Sequence, residues 1–131
     1  MSARFQVQAP AYAEPDADSE LPPPAGIEGT PPPGLALTEA LIRGLSRRDM
    51  PPRNRWVTPH GHAFDVEVGG QRFDVTVALE GPAEDGVWTI EAEARRGLLP
   101  RRTDPDSPAL AHLRDAVRDA LGDDPRVEDV R

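Results

Sequence analysis

A chain of 131 residues has room for one small domain and a tail, and too little for two separate cores. Hydrophobic residues make up 37% and charged ones 29%, with 23 acids against 15 bases and a net charge of -8, a balance that disfavours general affinity for nucleic acid or anionic membrane. There is no cysteine, which excludes disulfides, thiolate zinc sites and cysteine nucleophiles.

All 15 bases are arginine, which is expected of a GC-rich bacterial coding sequence. Residues 1–10 lack the continuous apolar run of a signal peptide, and no window approaches the roughly 18–20 apolar residues of a membrane span. The expectation is a cytoplasmic protein with no membrane partner. Eleven of the 16 prolines fall in residues 1–60, including the triplets Pro22-Pro23-Pro24 and Pro31-Pro32-Pro33, interspersed with Glu14, Asp16, Asp18 and Glu20. So much proline and charge buries too little apolar surface to offset chain entropy. Residues 1–34 therefore read as a disordered, acidic, Pro-rich tail, with the triplets in polyproline II conformation as a spacer or as a ligand for an aromatic groove.

The ordered domain is expected over 35–122. Thr38 can cap a helix over 38–49, in which Leu41, Ile42 and Leu45 share a face before Met50-Pro51-Pro52 ends it. Over 62–68, Phe64, Val66 and Val68 alternate with Ala63, Asp65 and Glu67, and Gly69-Gly70 suits the positive φ of a two-residue turn. Alternation resumes over 72–79 with Phe73, Val75, Val77 and Leu79. That turn sets Val66 opposite Phe73 and Phe64 opposite Val75, so both apolar sets share one face. A third strand over 87–95 puts Trp88, Ile90, Ala92 and Ala94 inward. After Ser107 as cap and Pro108 in first position, Leu110, Leu113, Val117 and Leu121 make a helical stripe that stops at Gly122. Residues 123–131 form a short acidic end able to add an edge strand. The fold class is thus α+β: an αβββα domain with a three-stranded antiparallel sheet and helices on one face. Its open strand edges make a homodimer plausible.

The same register aligns the outward side chains. Asp65 faces Asp74, which faces Glu93 if Leu79 pairs with Trp88; Thr76 then faces Glu91, and Glu67 faces Arg72, which faces Arg95. Like charges directly opposite one another destabilise a sheet, so solvent, arginines, a cation or a basic partner must compensate. Asp65, Glu67, Asp74, Glu91 and Glu93 are the candidate protein-interaction residues, and a basic protein segment is the matching partner. Asp65, Asp74 and Glu93 are also the candidate oxygen ligands for a divalent cation. In element order the domain resembles the minimal core of restriction-endonuclease-like nucleases. That resemblance implies a metal-dependent hydrolase using Asp74 and Glu93, with Arg95 where the family carries its lysine; arginine, always charged, is a poor proton-transfer group. The order also resembles a double-stranded-RNA-binding domain, but Asp104-Pro105-Asp106-Ser107 is acidic where that family is basic, which disfavours nucleic acid.

His60, His62 and His112 are too scattered for a zinc site, and Ser19, Ser46 and Ser107 have no nucleophile context. Arginines 43, 47, 48, 53 and 55 precede the hairpin, and 95, 96, 101 and 102 follow it, as solvated flanks or a phosphate-binding patch. No catalytic set and no cofactor is expected. The sequence points to a non-enzymatic bacterial interaction module, an adaptor, chaperone-like or regulatory accessory protein, with the nuclease as the alternative.

Overall fold

The computed structural model describes residues 2–12, 34–81, 85–94 and 108–131. The proline triplets, Ser107 and Arg95 lie outside them. The class is α+β, with six antiparallel strands and two helices. The strands are β1 (Ser2–Gln8), β2 (Arg55–Val57), β3 (Gly61–Val68), β4 (Gln71–Glu80), β5 (Val87–Ala94) and β6 (Asp129–Val130); the helices are α1 (Leu35–Ser46) and α2 (Pro108–Gly122).

The hairpin has the expected register. Gly69 and Gly70 have φ of 58° and 79°, the pair of positive values that a type I′ turn requires. Val66 pairs with Phe73, Phe64 with Val75, Asp65 with Asp74 and Glu67 with Arg72. On the other side of β4, Leu79 pairs with Trp88, Thr76 with Glu91 and Asp74 with Glu93.

The sheet is twice as wide as the pattern predicts, and its order is β2-β3-β4-β5-β1-β6. The added strands correct the picture of a tail running from residue 1. Ala3, Phe5, Val7 and Ala9 alternate with polar residues, and β1 pairs with β5 so that Phe5 faces Ile90 and Val7 faces Trp88. Phe5 and Val7 are 2% and 0% exposed, so this segment belongs to the core. A 3-10 turn, Pro10–Tyr12, closes it, and the Trp88 indole donates to the Ala9 carbonyl at 3.1 Å. β6 then pairs with β1, as a C-terminal edge strand should. β2 covers the far edge of β3. The edges of β3 and β1 are thus covered within the chain by strands of three and two residues.

α1 starts three residues before the expected cap. Leu35 and Leu37 are buried and belong to its apolar face; Thr38 lies inside the helix, its hydroxyl donating to the Gly34 carbonyl at 2.7 Å. It also ends three residues early. Asp49 takes the left-handed conformation (φ 60°), and the Met50 amide bonds back to the Leu45 carbonyl at 3.0 Å, the 6→1 bond of a Schellman stop. α2 buries Leu110, Leu113, Val117 and Leu121, as the stripe requires. The helices cross where Gly44 meets Ala120; a Cβ on Gly44 would lie 2.6 Å from that of Ala120, so the glycine sets the depth of the crossing.

Tyr12, the only tyrosine, is buried with its hydroxyl donating to Asp124. Burial, helped by that bond and the Asp124 charge, pushes its ionisation well above the ordinary 10.0. The folded state therefore holds this proton more tightly than the unfolded chain does. The resulting stability is complete below pH 10.0 and declines as pH rises above it towards the folded value. A phenolate absorbance titration reads Tyr12 alone and should show no ionisation at 10.0 until the protein unfolds; a normal titration in folded protein would show that the hydroxyl is accessible.

Candidate functional site

Both helices pack on one side of the sheet. The other side presents the side chains that alternate out of the core: Arg4 and Gln6 from β1, Asp65 and Glu67 from β3, Arg72, Asp74, Thr76 and Glu80 from β4, and Thr89, Glu91 and Glu93 from β5. Their strict alternation with buried neighbours is why they share a face.

All five predicted interaction residues lie on this face, but they are not equivalent. Asp65 is 1% exposed. The chain at Arg53 and Asn54 continues past β2 and pairs with Asp65 through its backbone, N–H to O and O to N–H, both at 3.1 Å. The Asp65 carboxylate accepts the Asn54 amide at 2.9 Å, the Asn54 side chain at 3.0 Å and the Arg72 guanidinium at 3.3 Å. This carboxylate therefore acts as a structural clamp holding segment 53–54 to the sheet, compensated by hydrogen bonds and one arginine.

Register and ion pairing differ for Glu67. It sits opposite Arg72, yet its ion pair is with Arg53 at 3.2 Å, because Arg72 reaches diagonally to Asp65. The Arg53–Glu67 pair is open to water and contributes about 0–1 kcal/mol. At the opposite corner Arg4 bonds Glu80 at 3.2 Å and Gln6 adds a bond at 3.4 Å. The Thr89 hydroxyl first, then Gln6 and Arg4, hold the Glu80 carboxyl below the usual range. Sequence reasoning missed Arg4 and Gln6, although the alternation from Ala3 to Val7 was a signal for them. The proline-rich context hid it. Trp56 pairs with Ala63, which places it half-buried on this outer face.

The remaining acids are Asp74, half-buried, and Glu91 and Glu93 beside it on β5. Asp74 and Glu93 stand directly opposite one another, and Glu91 lies two residues along on the same side. The Glu91 and Glu93 side chains make no ion pair among the described residues: Arg4, which stands opposite Glu91, reaches Glu80 instead, and Arg72 reaches Asp65.

No protein family, no curated protein and no solved structure matches the chain. Its function must be argued from geometry alone.

Among the described residues no group of three or more His, Asp and Glu converges on a point that could hold an ion. Asp65 faces Asn54 and Arg72 instead of its neighbours. His62 is buried on the core side, His60 lies in the turn before β3, and His112 is exposed on α2, so the histidines do not meet. No helix among the described residues is long and apolar enough to cross a membrane.

Proposed function

We propose that this chain is a non-enzymatic interaction module that docks a basic protein segment across β4 and β5. One observation carries the reading: among the described residues Glu91 and Glu93 have no ion-pair partner beside Asp74 on a sheet face that neither helix covers, while Arg4 and Arg72 bond Glu80 and Asp65. Like charges in register cost a sheet a few tenths to about 1 kcal/mol per pair. A cationic partner cancels that cost on binding, and charge complementarity gives it speed and selectivity. β4 and β5 are central strands with neighbours on both sides, so their outward side chains form an open surface, which suits a peptide or protein better than a small molecule.

The double variant Glu91→Gln, Glu93→Gln tests this reading. An oligo-arginine peptide titrated into the intact chain should shift the amides of Asp74, Glu91 and Glu93, with an affinity that falls as salt rises. The double variant should lose those shifts and gain about 0.5 kcal/mol of stability, because the like-charge contact with Asp74 is gone. Shifts that map elsewhere, or that survive the double substitution, would refute the docking face.

A further inference from the structure

A second charged surface, of opposite sign, lies at the end of the helical layer. The C-terminal ends of α1 and α2 and the turn at 123–126 enclose a cleft of about 620 Å3. Its wall carries Arg43, Arg47, Arg48 and Arg126 against only two acids, Asp123 and Asp124, in a chain whose net charge is -8.

The acids of this wall already have partners. Arg48 donates to the Gly44 carbonyl at 2.8 Å and to Asp123 at 2.7 Å. Asp124 accepts the Tyr12 hydroxyl and, at 2.9 Å, the backbone amide of Arg126. Arg47 and Arg126 make no ion pair among the described residues. Arginine near a helix C-terminus complements the negative end of the dipole, and that accounts for Arg43, Arg47 and Arg48 at the end of α1. It does not account for Arg126, which comes from the turn beyond α2 and is held 5.5 Å over the Tyr12 ring. A cation–π contact with Tyr12 holds the guanidinium beside the cleft and uses none of its N–H donors, so a bidentate fork stays available.

We propose that this cleft binds a phosphoryl oxyanion, with Arg47 and Arg126 as its two forks and Arg43 on the same wall. Two bidentate guanidiniums would use all four lone-pair sites of one carboxylate, whereas a phosphoryl group offers three terminal oxygens and a charge of up to about -2 to match both. The volume lies within the roughly 300–1,000 Å3 of small-molecule sites. The site is separate from the acidic sheet face and does not depend on it.

The test is a titration of the full chain with inorganic phosphate and with glycerol phosphate, at ionic strength matched by chloride, reading the arginine side-chain N–H signals. Saturating shifts at Arg47 and Arg126 are expected. Saturation by inorganic phosphate alone assigns the free ion, and saturation by both assigns a phosphoryl group on a larger molecule. Arg47→Gln should weaken binding about tenfold, the effect of losing one charge-assisted contact. Arg47 is exposed and its side chain makes no ion pair among the described residues, so unchanged hairpin amide shifts will show that the variant is native. Arg126→Gln should weaken binding similarly. A linear drift equal to that in chloride for both probes, or undiminished binding in both variants, would overturn the proposal.

Discussion

A chain lacking residues 1–12 should fail to show a cooperative unfolding transition in urea. β1 lies between β5 and β6, so its loss strips one edge of β5 and removes the only partner of β6. Phe5, Val7 and Tyr12 leave the core with it, and at about 1.5–3 kcal/mol per large buried side chain the three account for about 5–9 kcal/mol. Domains of this size have about 5–15 kcal/mol in total. The Trp88 indole also loses the Ala9 carbonyl as acceptor. Phe5→Ala provides a graded version: a loss of about 3–5 kcal/mol, seen as a lower urea midpoint in the full chain. A truncated chain that kept the full-length midpoint would mean that β1 does not contribute to the fold in solution.

Asp65→Ala should destabilise the protein by about 2–4 kcal/mol, a large effect for an acid in a row of acids. The substitution removes the charged acceptor of the part-buried Asn54 bonds, at about 1.5–3 kcal/mol, and leaves segment 53–54 held to the sheet by its two backbone bonds alone. Asp65→Asn should cost less, about 1 kcal/mol, because one carbonyl oxygen can still accept from Asn54. The Arg72 side chain is 43% exposed, so a double-mutant cycle with Arg72→Ala should give a coupling of no more than about 1 kcal/mol. Equilibrium denaturation of the four proteins measures these values. An Asp65→Ala midpoint equal to wild type would show that the clamp carries no load. Because Asp65 is closed to solvent, oligo-arginine binding to folded Asp65→Asn should match wild type, in contrast to the Glu91 and Glu93 variant.

The residues that sequence reading placed best interact over short separations. Val66 and Phe73 are seven residues apart and joined by a two-glycine turn, so alternation and turn chemistry together determine their pairing. Glu91 and Glu93 follow from the same logic carried across β4. Asp65 shows where the logic stops. Its position in the row was legible, yet its burial was not, because the backbone of 53–54 that seals it has no alternation of its own. Thr38 shows a related limit: a hydroxyl that suits a helix cap also suits an internal bond to the preceding turn, and only the burial of Leu35 and Leu37 decides between them.

The N-terminal strand marks the same boundary at larger scale. Ala3, Phe5 and Val7 carry a strand pattern, but what they cover are Ala92, Ile90 and Trp88, more than eighty residues along the chain. Local pattern determined the class, the hairpin, its register and which side chains leave the core. The tertiary structure decided the width of the sheet, the closure of its edges, the withdrawal of Asp65 from water and the placing of Arg47 and Arg126 along one cleft. Each of these depends on segments that are distant in sequence, and alternation records which way a side chain points, not which distant backbone will come to lie against it.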